Sequence, residues 1–314
     1  MALPPYISWT GFGSSCGEPP GVFTNAMMHM FGVAGDIGAM KAMVDRFLRP
    51  VASPKSYVYE PCTNSILLTV LDIERCSSTE VIGWVPGREC ALWIPLLEVN
   101  LNNPFHPRLV MWSPYIFISY GIGMVTGREV WGWSKALATI GFPGPGSAAP
   151  EFDVDTLIFR QFDKTQPGTQ ETLLRITGDG PLSSATSWAV LSDAVDGVFT
   201  MVTGLAQGTF DIPFKMAFDF PAIALKQFRD SSSPGDACFQ AVVNSPVHID
   251  NFLGGGLHNA QFELEVATCD SHPIVNQLLG GGAQPNSTTV PITWAAWVNF
   301  DFSATAGSVI ARTV

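Results

Sequence analysis

The chain has 314 residues, of which 46% are apolar and 14% charged, and its 27 acidic and 16 basic side chains give a formal net charge of −11. This composition excludes a largely disordered chain, because disorder requires low hydrophobicity and many charges. The acidic balance argues against nucleic acid as a partner, since phosphate binding needs clustered lysine and arginine. Small molecules or further copies of the chain are the expected partners.

The segment Met1–Tyr6 lacks the positive and apolar regions of a secretory signal. No uninterrupted apolar run reaches the roughly eighteen residues needed to span a bilayer. We therefore expect a cytoplasmic protein without a membrane partner. The cysteines lie far apart, with no C-x-x-C pair and no Cys/His run at zinc spacing, so we expect buried free thiols and neither metal nor cofactor. They are Cys16, Cys62, Cys76, Cys90, Cys238 and Cys269.

In the N-terminal half, the first predicted element is a helix capped by Asp36, whose apolar residues recur at helical period and which Pro50 is expected to end. Predicted strands follow, because β-branched and aromatic residues are concentrated between glycines and prolines. They cover Ser65–Ile73, Ala91–Val99 and Leu109–Tyr120. The stretch 144–150, rich in glycine and proline, is interpreted as a surface loop.

In the C-terminal half, a helix predicted over Ser184–Ala206 carries one continuous apolar stripe. Such a stripe favours packing on a core, with a lid over a pocket or an oligomer contact as alternatives. A second, short helix is expected from Pro273 to the glycines at 280–282. The predicted strands are Thr172–Thr177, Phe214–Phe220, Phe239–Val247, Phe262–Val266 and Trp294–Phe302. Strands in this number close into barrels or stack as sandwiches.

The most informative segment is Gly127–Leu137, where one of only six lysines, Lys135, follows Trp131 and Trp133. On spacing alone, Lys135 is either a surface residue or a chemically useful one. Burial among apolar side chains favours the neutral amine, which is a nucleophile. Such an amine condenses with a ketone to an iminium, whose nitrogen accepts electrons from a breaking C–C bond or a departing α-proton.

Gly127–Leu137 resembles the signature of the acetoacetate decarboxylase family, in which G-R-E is followed by an aromatic residue, a proline and a lysine pair. The resemblance implies that Lys135 is the Schiff-base lysine and that Glu89, six residues before Pro95, is the general acid and base. A surface glutamate paired with Arg88 is the alternative interpretation of Glu89. The implied fold is α+β and mainly antiparallel β, a barrel or cone with peripheral helices. It forms a single domain over 1–314, with a helical insertion at about 183–207, in a family that commonly self-associates.

The chain also departs from the family pattern. Ala136 stands where the family has its second lysine, a pocket arginine would fall near Ala26, and a further pocket glutamate near Thr69. Acetoacetate is therefore a poor substrate candidate, because a small carboxylate needs a cation to hold it. We expect a largely apolar pocket with Arg128 and Glu129 at its border, although a buried structural pair is the alternative for these two. The remaining expected substrate-binding residues are Trp131, Trp133, Met27 and Phe23, with Met28 expected to help shape the same cavity.

These observations predict a lyase-type enzyme that acts on a bulky apolar carbonyl or β-keto compound of secondary metabolism through a Lys135 Schiff base. Decarboxylation, aldol-type chemistry and dehydration all pass through the same imine. Two alternatives stay open. One is a cyclase that folds a polyene or polyketide without an imine, by proximity and exclusion of water. The other is a binding barrel without catalysis, since fold does not determine function.

Overall fold

The computed structural model describes residues 5–7, 16–78, 83–203, 219–282 and 284–313. The helices are α1 (Ile37–Phe47), α2 (Arg49–Ala52), α3 (Gly121–Thr126) and α4 (Leu191–Thr203), with a 3-10 turn at Ser53–Lys55 and π-helical turns at Gly127–Trp131 and Val275–Leu279. The strands are β1 (Gly21–Ala34), β2 (Tyr57–Pro61), β3 (Ser65–Ser78), β4 (Val85–Asn100), β5 (Arg108–Ile118), β6 (Lys135–Gly141), β7 (Glu151–Ile158), β8 (Thr169–Gly178), β9 (Asp219–Arg229), β10 (Ala237–Leu257), β11 (Phe262–Ala267), β12 (Ser287–Ala304) and β13 (Ser308–Arg312).

Within the described ranges, all thirteen strands belong to one sheet of order β13-β10-β9-β5-β6-β7-β8-β11-β12-β1-β3-β4-β2. Two further pairings, β10 with β12 and β5 with β4, link distant parts of this order. Only β6 and β9, where they run beside β5, pair in parallel. The mainly antiparallel sheet with few helices confirms the predicted α+β, mainly antiparallel class.

Two apolar clusters lie on the sheet. The main core combines side chains such as Phe31, Leu68 and Phe152 with the buried face of α1. The helix begins where predicted, because the Asp36 carboxylate accepts a hydrogen bond of 2.7 Å from the Ala39 N–H. The prediction that Pro50 ends this helix is wrong. Pro50 lies in the first turn of α2, where a backbone N–H has no helical acceptor and its loss costs nothing.

The predicted helix Ser184–Ala206 begins later than expected, at Leu191. The reason is a tertiary contact: the N–H groups of Ser187 and Trp188 both donate to the Gly255 carbonyl at 3.0 Å, which holds this stretch extended against β10. The predicted helix residues 204–206 lie outside the described residues, as does the part of the predicted strand Phe214–Phe220 before 219. Trp188, Val198 and Val202 of the predicted stripe pack on an apolar cluster of the sheet.

Other predictions had mixed outcomes. The short C-terminal helix is the π-helical turn that ends at Gly280, whose φ of +67° favours glycine. All six cysteines are free, but the prediction of burial is wrong for Cys238, which is exposed beside a register shift in the β9–β10 hairpin. Among the described residues, no helix combines the length and the apolar character needed to cross a membrane.

Candidate active site

The second apolar cluster, called the site cluster below, joins side chains from several strands with the inner face of α4. Its members include Met30, Leu71, Ala91, Ile116, Val298 and Phe300. The register places Glu89 of β4 on this side of the sheet. A row of paired residues crosses four neighbouring strands, from Val298 through Met28 and Leu71 to Glu89. Cross-strand neighbours share a face, so one acidic side chain stands at the end of an apolar row.

Strand β5 brings the two predicted catalytic residues together. Lys135 of β6 lies beside Ile116, and Glu89 of β4 lies beside Ile118. Ile116 and Ile118 are two residues apart and point to the same face. Lys135 and Glu89 therefore approach each other across β5, although they are far apart in the sequence. Lys135 Nζ lies 2.6 Å from Glu89 Oε2.

The connection from β5 to β6 fixes the lysine. It consists of α3 and the π-helical turn. The chain then folds back, so that the backbone N–H of Trp133 donates to the Gly127 carbonyl at 3.0 Å. A Cβ on Gly127 would lie 2.6 Å from Lys135 Cδ, so only glycine lets the lysine stem lie against this backbone. Gly132 has a φ of +77° and its α-carbon packs on the backbone of Lys226. The Lys135 stem thus requires glycine at 127, and the positive φ and the contact with Lys226 favour glycine at 132.

Lys135 is a buried amine with one acidic neighbour and an aromatic face. Its side chain is 6% exposed and that of Glu89 is 18% exposed. The amine also lies 4.7 Å from the centre of the Trp133 ring. A carboxylate at this distance can take a proton from the amine and return it to a reacting oxygen or carbon, which is the requirement for a general acid and base. The arrangement suits attack of the amine on a carbonyl carbon.

Two residues that the sequence analysis did not select lie close to this pair. The Tyr120 hydroxyl hydrogen-bonds the Cys76 thiol, and the Tyr120 ring packs against Gly87, two residues before Glu89. Burial raises the pKa of Cys76 to about 11, and burial, with the nearby thiol and the Glu89 charge, raises the pKa of Tyr120 well above its usual range. Both groups therefore keep their protons at neutral pH. No spacing signal links Tyr120 or Cys76 to Lys135.

Three of the predicted aromatic residues border the site. Trp131 and Trp133 stack with ring centres 4.8 Å apart, and the Trp131 indole N–H donates to the Thr305 carbonyl at 2.8 Å. Trp133 packs on the site cluster and stacks on Trp131. Phe23 also packs on this cluster and stacks on Phe302 at 4.4 Å. Trp133 is the one of these that contacts Lys135 directly.

Of the two methionines expected at the cavity, Met28 lies on the site side of β1 and Met27 does not, so the prediction for Met27 is wrong. Asn25 has a φ of +52°, and the register of β1 with β12 shifts between Phe23 and Ala26. This bulge adds a residue to the strand and reverses the alternation that follows it. Met28 consequently packs on the site cluster with Phe23, whereas Met27 lies on the other face, opposite Asp72.

The alternative of a buried Arg128–Glu129 pair is wrong. In the described structure these residues form no ion pair with each other: Arg128 is exposed and donates to the Lys135 carbonyl oxygen at 3.0 Å, while Glu129 accepts a hydrogen bond from the Tyr6 hydroxyl. Arg128 thus holds the backbone of Lys135 in place. The alternative pairing of Glu89 with Arg88 is also wrong, because Arg88 pairs with Asp72.

The three departures from the family pattern place uncharged side chains where the pattern has charged ones, two of them on the site side of the sheet and one on the main core. Ala26 is fully buried in the site cluster, and Thr69 is buried with its hydroxyl engaged by the Trp93 indole N–H at 3.1 Å. Ala136 packs on the main core, on the other face of β6 from Lys135. Across the ranges that the structure describes, no three His, Cys, Asp or Glu side chains lie close enough together to hold a metal ion.

No protein-family model and no curated protein matches the chain, but solved structures match its fold. Acetoacetate decarboxylase from Legionella pneumophila superposes with a TM-score of 0.64 at 12% identity, over 99% of this chain and 93% of that one. An acetoacetate decarboxylase-like enzyme from Sphingomonas wittichii RW1 gives 0.58 at 11% identity, over 98% and 100%. The enduracididine biosynthesis enzyme MppR, complexed with the condensation product of pyruvate and imidazole 4-carboxaldehyde, gives 0.55 at 11% identity, over 99% of each chain. The chain therefore has the acetoacetate decarboxylase fold, as the resemblance of Gly127–Leu137 predicts.

Proposed function

We propose that the protein is a lyase-type enzyme that binds a bulky apolar carbonyl or β-keto compound and forms a Schiff base with it through Lys135. The observation that carries this proposal is the buried Lys135 amine, 2.6 Å from the Glu89 carboxylate and against the Trp133 ring. The condensation product bound to the structurally similar MppR supports chemistry of this class.

In the proposed reaction, Glu89 first holds a proton taken from Lys135, which leaves the amine lone pair free. The nitrogen attacks the carbonyl carbon, a C–N bond forms, and the carbonyl π electrons move to oxygen, which takes the proton from Glu89. Loss of this oxygen as water forms the C=N bond of an iminium. The iminium then accepts the electron pair of a breaking C–C or C–H bond and becomes an enamine. The enamine carbon takes a proton from Glu89 or attacks a second carbonyl carbon, which restores the iminium, and water hydrolyses it to release the product and the Lys135 amine. Decarboxylation, aldol-type reactions and dehydration share these steps.

The apolar surroundings support a bulky, uncharged substrate. Ala26 and Thr69 stand at the positions where the family pattern has charged groups, and the site cluster supplies the rest of the surface. Burial of apolar surface contributes roughly 25 cal/mol per Å², so a large hydrocarbon group on the substrate would supply most of the binding free energy. Acetoacetate offers little such surface and carries a charge.

Reductive trapping tests the Schiff base. The protein is incubated with benzylacetone, an aryl-substituted methyl ketone, and cyanoborohydride, and its intact mass is followed. Lys226 is the matched control lysine, because it is half-buried beside the same segment, its amine donates to the Val130 carbonyl at 3.0 Å, and burial lowers its pKa. We expect one adduct on the wild type and on Lys226→Arg, and none on Lys135→Arg. Equal labelling of Lys135→Arg would overturn the proposal.

Several finer expectations are part of the same proposal. The linked strand pairings support a barrel or cone around the site, and the single sheet supports one domain over 1–314. The cytoplasmic location, the self-association and a place in secondary metabolism stay predictions. Binding of benzylacetone without any adduct would favour a cyclase that works without an imine, or a binding protein.

A further inference from the structure

The indole N–H of Trp133 has no hydrogen-bond partner among the described residues, although its nitrogen is buried. The adjacent, stacked Trp131 differs, because its N–H donates to the Thr305 carbonyl. A buried donor without an acceptor is costly and uncommon in folded proteins, so each instance calls for an explanation. The contrast between two stacked indoles shows that the fold satisfies one donor and leaves the other without an acceptor.

The position of Trp133 connects this donor with the reacting amine. Its ring centre lies 4.7 Å from Lys135 Nζ, and its ring packs on the apolar site cluster, whose side chains offer few acceptors. The indole nitrogens of Trp294 and Trp297 are also buried without a partner in the described structure, but of the three rings it is Trp133 that lies against the Lys135 amine. Trp294 packs on the site cluster against Gly32 in the β1–β12 pair, and Trp297 lies opposite His29 on the other face of β12.

We propose that Trp133 donates its indole N–H to a second oxygen of the substrate, one that stays on the molecule after Lys135 has displaced the first. This inference rests on the proposed Schiff base and narrows the substrate class to compounds with a second, uncharged oxygen close to the reacting carbonyl, such as β-diketones. An indole is a neutral donor, whereas a carboxylate is best held by a cation. The neighbouring cations are already engaged: Arg128 by the Lys135 carbonyl and Lys226 by the Val130 carbonyl.

Two ketones with the same carbon skeleton test this inference. Benzoylacetone carries a second carbonyl next to its phenyl ring, and benzylacetone has a methylene group there. Trapping rates with cyanoborohydride are measured for the wild type, Trp133→Phe and Trp297→Phe. Phenylalanine keeps an aromatic ring beside Lys135 and removes only the donor. Trp297→Phe is the matched control, because it also removes a buried, unpartnered indole N–H, away from Lys135.

We expect Trp133→Phe to lower the ratio of the benzoylacetone trapping rate to the benzylacetone trapping rate about three- to tenfold, the range for loss of one neutral hydrogen bond. Any change in packing against Lys135 acts on both ketones and cancels in this ratio. Circular dichroism checks that the variant folds, and Trp297→Phe should alter neither rate. Equal effects of Trp133→Phe on both ketones, or no effect on either, would overturn the inference alone. Absence of any adduct on the wild type would overturn the proposed Schiff base. In that case the binding of benzoylacetone to the wild type and to Trp133→Phe is compared by calorimetry. Weaker binding by Trp133→Phe would support the hydrogen bond from Trp133, and equal binding would overturn it.

Discussion

The most specific structural prediction concerns Gly127, whose backbone supports the stem of Lys135. An alanine there would place a Cβ 2.6 Å from Lys135 Cδ and 2.8 Å from Cε. Carbon atoms in contact lie about 3.5–4.0 Å apart, so the stem must move by about 1 Å. A displacement of that size at a reacting group lowers a rate by about a hundredfold. We therefore expect Gly127→Ala to slow benzylacetone trapping about 10- to 100-fold.

The free energy of unfolding of Gly127→Ala should fall by only about 1–2 kcal/mol, because a flexible side chain rather than the backbone gives way. Gly121→Ala is the matched control, because Gly121 begins α3 in the same connection. Apart from its chain neighbours and its own helix backbone, no atom of the described residues would lie within 4 Å of a Cβ placed there. We expect wild-type trapping by Gly121→Ala. Wild-type trapping by Gly127→Ala, with the label still on Lys135, would refute the reasoning.

Three further predictions concern stability and proton transfer. Burial, with the neighbouring ring, lowers the pKa of His29 to about 3, and burial lowers that of His258 to about 4. The unfolded chain then binds protons that the folded chain does not, so the free energy of unfolding should decrease as pH falls from about 6.5 to 4, by up to about 1.4 kcal/mol per pH unit for each histidine. In urea, the free energy of unfolding of His29→Leu should depend less on pH than that of the wild type. An equal pH dependence would contradict the lowered pKa of His29. Asp36→Ala removes the carboxylate that accepts from Ala39 N–H and should lower the free energy of unfolding by about 1 kcal/mol in urea, whereas no change would mean that the cap contributes nothing. The amide side chain of Glu89→Gln cannot take up and return a proton, so this variant should trap the ketone about a hundredfold more slowly. A wild-type rate would exclude Glu89 as the acid and base.

Local sequence signals predicted the parts of the site that lie within one segment. The family resemblance of Gly127–Leu137 drew attention to Lys135, and the turn that presents this lysine is built from its own chain neighbours. Asp36 likewise identified the start of α1, since a helix cap depends on the next three residues. Such features involve contacts close in sequence.

Features set by tertiary contacts were not predictable. The choice between Met27 and Met28 depends on the positive φ of Asn25, whose side chain bonds Glu74 of the neighbouring strand at 2.7 Å. A shift of one residue in a strand moves every later side chain to the other face. Pattern analysis of β1 alone contains no sign of this bulge.

The histidine pair shows the same limit. His29 and His258 stand far apart in the sequence, and scattered histidines suggested no shared site. In the structure their ring nitrogens are 3.1 Å apart, and His258 Nδ1 accepts from the Ser183 N–H at 3.1 Å. This contact requires His258 to carry its proton on Nε2 and to donate it to His29. The pair thereby fastens the stretch that leads to α4, a role that only the assembled sheet reveals.

Exchange of the ketone oxygen with water tests the central claim most directly, because it needs neither a reductant nor knowledge of the natural substrate. Each round of imine formation and hydrolysis replaces the carbonyl oxygen with one from solvent. In water enriched in heavy oxygen, the wild type should accelerate incorporation into benzylacetone, and Lys135→Arg should leave it at the uncatalysed rate. Equal incorporation with both proteins would show that Lys135 forms no imine.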